Sequence, residues 1–232
     1  MALGVVVRNL LALVRTAFLE FYRAVRTRRL AASPSLRTWD GHPILSDAQL
    51  LHPHTDFAHK HWAEVLRCSP APRVVVDATC GNGHDSLVLA NALAAAGGGT
   101  LMLCDIQQQA IERSQVRMQA ACGINNVEVS WHHCDHSTLL DTLEEATVCL
   151  VVFNLGYLPG SDKTIVTTAD STLRALAAAE KTVKPGGTIS ATLYPGHEEG
   201  RREEQVVLDH ARELDLGRWS VYYTQVGVAR SP

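Results

Sequence analysis

From Arg73 onward, short apolar runs alternate with longer stretches whose apolar positions recur at helical spacing. That alternation predicts a parallel sheet wrapped in crossover helices. Strands are expected over 73–77, 100–105, 127–131, 146–154, 188–194 and 219–226, and helices over 85–96, 107–121, 170–183 and 198–214. Gly97-Gly98-Gly99, Cys122-Gly123 and Lys184-Pro185-Gly186-Gly187 supply stops after three of the helices. The run ATVCLVVFN, 146–154, is the most continuous apolar stretch, so it is the expected central strand, buried on both faces. Ahead of the first strand, 46–67 turns helical, with Thr55 as N-cap and Phe57, His61 and Val65 spaced four apart. The fold class read from this pattern is α/β, a Rossmann-like sheet flanked by helices.

The N-terminal part departs from the pattern. Residues 1–30 hold six arginines, Arg8, Arg15, Arg23, Arg26, Arg28 and Arg29, against Glu20 alone, so they carry +5 of a net −3 and leave about −8 on the rest. On a helical wheel Arg8, Arg15 and Arg26 share one face. An organellar transit peptide, a membrane-surface or partner-binding helix and an ordinary structural helix all fit such a segment. The lack of serine before Ser33 suits a mitochondrial peptide better than a chloroplast one. The stretch AASPSLRTWDGHP, 31–43, reads as a linker, which divides the chain into a transit peptide and linker over 1–45 and one globular domain over 46–232. The arginines interrupt any apolar run long enough to span a bilayer, so no stable membrane insertion is expected. Six cysteines at irregular spacing, with no CxxC pair, point to a reducing compartment.

Ligands of an open parallel sheet sit over the carboxyl ends of its strands. The positions following the strands are Asp77, Thr79, Gly81, Asn82, Gly83, His84 and Asp85, then Asp105, then Asp135 and His136, then Asn154 to Lys163, and lastly Tyr194 to Arg201. Glycines in the first turn let backbone approach a ligand, and a carboxylate closing the second strand suits the two hydroxyls of a ribose. Ser86 stands where a dinucleotide fingerprint has its third glycine. Asp77 and Asp85 would repel a pyrophosphate and attract a sulfonium and an α-amino group, so the loop favours S-adenosylmethionine over NAD. The histidines of Trp131-His132-His133-Cys134-Asp135-His136, and His52, His54, His59 and His61, read as packing or surface residues, and no metal site is expected.

The motifs VDATCGNGHDS, CDI, FNLGYLPGSDK, KPGG and LYPGHEEGR, spread over Thr55 to about Tyr223, resemble the class I S-adenosylmethionine-dependent methyltransferases of the rRNA-methylase-like group. That group includes a bacterial enzyme converting 5-aminomethyl-(2-thio)uridine at the tRNA wobble position to its 5-methylaminomethyl form. The resemblance implies cofactor contacts from Asp77, Thr79, Gly81, Asn82, Gly83, His84 and Asp85, with Asp105 on the ribose, Asp135 and His136 near the adenine, and Ile106, Asn154 and Leu155 as further cofactor contacts. Asn154 to Tyr157 stand where amino-methylating relatives carry Asn/Asp-Pro-Pro-Tyr/Phe, and here Leu155 and Gly156 replace the prolines. Asn154 or the Leu155 carbonyl would orient a neutral amine, with Tyr157, Asp162 or His197 helping to remove its proton. Tyr157 would stack on a base, and Lys163, Arg201 and Arg202 would meet phosphates.

The expected partner is tRNA, with no DNA, and a homodimer is compatible with the sequence. An rRNA or small-molecule methyltransferase, or a catalytically silent cofactor-binding fold, stays open, because the acidic body is awkward for RNA. Relatives close their sheet with a final antiparallel strand. The chain ends GVARSP soon after 219–226, so an incomplete sheet with a weakened edge is expected.

Overall fold

The computed structural model describes residues 2–8, 53–121, 123–156 and 167–225. Seven strands among them form one sheet: β1 (Ala2–Arg8), β2 (Val74–Asp77), β3 (Gly99–Asp105), β4 (Val127–His133), β5 (Val148–Asn154), β6 (Val183–Leu193) and β7 (Trp219–Gln225). Their spatial order is β4-β3-β2-β5-β6-β1-β7, with β5 in the middle as its unbroken apolar run requires. The helices are α1 (Pro53–Cys68), α2 (His84–Ala95), α3 (Gln108–Gln119), α4 (His136–Asp141), α5 (Ala169–Thr182) and α6 (Glu198–Glu213).

Helices cover both faces of the sheet. One core joins Val75, Leu101, Leu103, Leu150 and Val152 of the strands to Trp62 and Leu66 of α1, Leu89 and Leu93 of α2, and Ile111 and Met118 of α3. The opposite core joins Val76, Val151, Phe153 and Ile189 to Leu139 and Leu140 of α4, Ala175 and Ala179 of α5, and Val207 of α6. Alternate strand residues therefore serve opposite layers, as the two-residue period dictates. Buried Ser86, Leu89, Ala90 and Leu93 give α2 the three- and four-residue spacing of a helix with one face against the sheet.

Several boundaries move. The Lys184-Pro185-Gly186-Gly187 stretch lies inside β6, where the pairing register with β5 shifts between Val148 and Leu150. Helix α4 escaped the apolar pattern because it is only one to two turns long, although Asp135 caps it by accepting from Ser137 N.

The sheet edge corrects two expectations. Ala2–Arg8 is extended, not helical, over a stretch whose valines at 5, 6 and 7 favour strand geometry. It pairs antiparallel with β6, Ala2 opposite Leu193, and antiparallel with β7, Ala2 opposite Gln225. The place taken for empty is thus filled from the other end of the chain, and β7 joins the sheet through β1. The rest of the proposed transit peptide and linker, 9–45, lies outside the described residues. No helix of the described residues is long and apolar enough to cross a membrane.

Candidate active site

Strand β2 delivers Asp77 beneath a tight loop. Its carboxylate is 1% exposed and accepts from Thr79 N at 3.2 Å and from Ser86 Oγ at 2.7 Å, tying the two sides of the loop together. Gly81 and Gly83 have φ of 50° and 77°. A Cβ on Gly83 would lie 2.8 Å from Ser114 Cα, so backbone of α3 leaves room for glycine alone. Helix α3 also grips the loop from outside: Arg117 Nε donates to Asn82 O at 2.8 Å and Arg113 Nη1 to Asn82 Oδ1 at 3.1 Å.

Burial pushes Asp77 up to about 7, with the Asp85 and Asp105 charges adding to it and the Ser86 and Thr79 donors opposing. With both oxygens engaged by Thr79 and Ser86, Asp77 supports the loop from beneath and does not flank the cavity directly. An unfolded aspartate titrates near 3.8, so between that pH and about 7 the folded protein holds a proton that the unfolded chain has released. This carboxyl favours folding most below the unfolded value and loses its contribution as pH rises through the folded one. Relative to Asp77→Asn, the native protein should lose stability between pH 4 and pH 7, by about 4 kcal/mol at most. Denaturant titrations of both proteins across that range check this, and parallel curves would refute it.

Above the loop, the carboxyl ends of the strands enclose a cavity of about 890 Å³. Thr79, Gly81, Asn82, His84 and Asp85 line it from the β2–α2 turn, Asp105 and Ile106 from the end of β3, and Asp135 and His136 from the start of α4. Asn154, Leu155, Tyr194 and His197 complete the wall, while Asp77 and Gly83 stay behind it. Asp105 accepts from Gly81 N at 3.0 Å through one oxygen and from Gln107 N at 2.8 Å through the other. Each carboxylate oxygen keeps a lone pair for a ligand diol. Burial raises the Asp105 carboxyl, and those two N–H groups restrain the rise.

Beside it Ile106 is 60% exposed, an apolar platform at the cavity rim suited to a flat ring. Burial also pushes Asp135 upward, yet the Ser137 hydroxyl and N–H outweigh it and hold the carboxyl below the usual range. Burial lowers the proton affinity of His136, against the pull of Asp135, and the ring meets Phe153 edge-on with centroids 5.7 Å apart.

Residues 101–230 match a family model described as "Putative rRNA methylase". The chain belongs to this family. It is also 40% identical over 170 residues, 71% of its length, to an Arabidopsis thaliana protein named tRNA (mnm(5)s(2)U34)-methyltransferase, chloroplastic. The chain spans 61% of the length of that relative. A "putative rRNA-methylase" from Clostridium thermocellum superposes with a TM-score of 0.62 at 29% identity, over 70% of this chain and 83% of that one. A Streptococcus mutans methyltransferase-like protein, in complex with SAH, gives 0.58 at 26% identity with the same shares of the two chains.

In this rRNA methylase-family chain the far wall of the cavity is built around Asn154. Its backbone N donates to Thr79 Oγ1 at 2.7 Å, and its side-chain Nδ2 donates to Asp85 Oδ2 at 2.8 Å. The other Asp85 oxygen lies 2.6 Å from His59 Nε2 of α1. Asn154 Oδ1 is buried and has no hydrogen-bond partner among the described residues. Burial and the Asp85 charge raise the neighbouring Tyr194 phenol, which a contact with Asn154 partly offsets.

Beyond Leu155 the chain enters 157–166, outside the described residues, where Tyr157, Asp162 and Lys163 fall. The two ends of that segment are tied. Gly156 N donates to Thr167 Oγ1 at 2.8 Å and Thr167 N donates back to Gly156 O at 3.0 Å. The Thr167 hydroxyl donates to Glu203 Oε2 at 3.0 Å, and Thr172 Oγ1 donates to Glu203 Oε1 at 2.6 Å. Glu203 is 1% exposed on α6, and burial raises its carboxyl against those two hydroxyls.

His197 caps α6, its Nδ1 accepting from Gly200 N at 3.0 Å. That use commits the neutral ring to the Nε2–H tautomer, so it offers a donor and not the base expected of it. A Cβ on Gly200 would sit 2.3 Å from Tyr194 O, which explains the glycine in the GHEEG stretch. Arg201 and Arg202 are exposed outside the cavity lining, and Arg202 pairs with Asp170 at 3.6 Å and Glu199 at 3.8 Å. Among the described residues no three His, Cys, Asp or Glu side chains gather as a metal site. His59 and Glu203 were missed because nothing local marks them: each meets its site partner from a distant helix.

Proposed function

We propose that the chain is an S-adenosylmethionine-dependent N-methyltransferase of tRNA, converting 5-aminomethyl-(2-thio)uridine at the wobble position to the 5-methylaminomethyl form. The observation that carries the reading is the buried Asn154 carbonyl at the cavity wall, with its own amide nitrogen engaged by Asp85. An acceptor-only oxygen suits a neutral amine that must point its lone pair at a methyl carbon.

The residues present fit the cofactor. Asp105 would hold ribose hydroxyls, Ile106 and the Asp135–His136 corner would take the adenine, and the Gly81–His84 loop would receive the methionine portion. When bound, that cofactor supplies an electrophilic methyl on a sulfonium. The chain's own part is to orient the amine through Asn154 and to exclude water with buried Leu155 and the hydrogen-bonded pair Gly156 and Thr167 in the cavity wall. Tyr157 and Lys163 would carry base stacking and a phosphate contact. Support comes from the name of the Arabidopsis relative and from the S. mutans neighbour held with SAH. The same relative's description as chloroplastic supports a chloroplast site of action.

Purified protein, the cofactor and tRNA with or without the 5-aminomethyl group test this. Nucleoside mass spectrometry should show 5-methylaminomethyl uridines only from the aminomethyl-bearing tRNA. Transfer to neither tRNA, or to both alike, would overturn the reading.

A further inference from the structure

We propose that His59 is a positioning residue for methyl transfer: acting through Asp85, it holds the Asn154 carboxamide with its carbonyl, and not its amide nitrogen, toward the acceptor. This rests on the functional reading above.

A carboxamide is nearly the same shape after a half-turn about its Cβ–Cγ axis, so only its hydrogen bonds decide which atom faces a ligand. For Asn154 the deciding bond is Nδ2 to Asp85 Oδ2 at 2.8 Å. Asp85 stands on the first turn of α2, where an unrestrained carboxylate could turn toward the helix amides instead. His59 removes that freedom by taking the second oxygen at 2.6 Å, with side-chain exposures of 23% for His59 and 15% for Asp85. The imidazole is itself held. Its ring lies 5.0 Å from that of Trp62, and Trp62 Nε1 donates to the buried Ser190 Oγ of β6 at 2.9 Å. A chain of contacts thus runs from the sheet through α1 to Asp85 and Asn154. His59 does not line the cavity, so it acts through its partner and not on substrate.

The test compares His59→Ala with His59→Gln, whose side-chain amide places a donor nitrogen at the same number of bonds from the backbone. The first readout is the Asn154 side-chain amide resonance in the ¹⁵N spectrum of the adenosylhomocysteine-bound protein, assigned by its loss in Asn154→Ser. His59→Ala should shift it toward the solvent-exposed range, and His59→Gln should keep it near the native position. The second is kcat on aminomethyl-bearing tRNA, expected to fall roughly tenfold or more in His59→Ala, with recovery in His59→Gln and KM for the cofactor little changed. An unmoved resonance in His59→Ala, or equal losses in both variants, would overturn the proposal. A native protein that methylates no aminomethyl-bearing tRNA would instead overturn the functional reading, and the resonance would still decide the role of His59.

Discussion

Asn154→Ala is expected to lower the rate of methyl transfer by a factor on the order of 10²–10³, the loss typical when one preorganised polar contact to the reacting group is removed. Cofactor affinity should fall by about tenfold or less, which is the 1.4 kcal/mol of a single hydrogen bond. The asymmetry follows from the geometry. The Asn154 side chain is anchored to Asp85 through Nδ2, and its Oδ1 is the atom left for an acceptor. Asn154→Asp separates orientation from charge: a carboxylate keeps the acceptor oxygen but sets a negative charge against Asp85, so Nδ2 donation becomes repulsion and the rate should stay low. Single-turnover rates beside calorimetric binding of adenosylhomocysteine make the measurement. An alanine variant with native turnover would remove Asn154 from the chemistry.

Trp62→Ala is expected to cost about 3–5 kcal/mol of folding stability, the range for truncating a large aromatic in a closed core. Trp62 is 2% exposed and packs in the layer that joins α1 to Val75, Leu150 and Val152. Its indole N–H is also the partner of Ser190 Oγ, a fully buried hydroxyl that the truncation would leave unsatisfied. Trp62→Phe should cost less by keeping most of the apolar contact while still losing the hydrogen bond. Urea denaturation of the three proteins gives the values. A loss below about 1 kcal/mol for alanine would mean that α1 does not dock as described. Because α1 also carries His59, Trp62→Ala should reduce turnover in the molecules that remain folded.

How much of this was legible in the residues depends on the length scale of each interaction. The strand Val148–Asn154, buried at every position but the last, announced itself through seven successive positions with no charge. The β2–α2 loop announced itself through Gly81 and Gly83 behind an apolar run, since positive φ and close packing on Ser114 leave few other residues. Asp105 and the Asp135–His136 corner followed from their places at strand ends. Lys184-Pro185-Gly186-Gly187 misled, because a proline and two glycines normally end an element, whereas here they open β6 beside a register shift. His197 was one of three residues read as helping to remove a proton, from its residue type and its place after a strand, and the hydrogen bond from Gly200 N gives its Nδ1 another use.

By itself the sequence determined the succession of strands and helices from α1 onward apart from the short α4, the central strand and the end of the sheet that carries the cavity. Those depend on periodicity and on the right-handed crossover rule, both local properties of the chain. Only the tertiary structure decided that Ala2–Arg8 fills the gap between β6 and β7, that Asp77 sits protonatable beneath the loop, and that His59 reaches Asp85 across 26 residues. Each of those depends on which distant element lies alongside, and a hydrogen bond or a lost water shell between such elements leaves no periodic trace in the order of the residues.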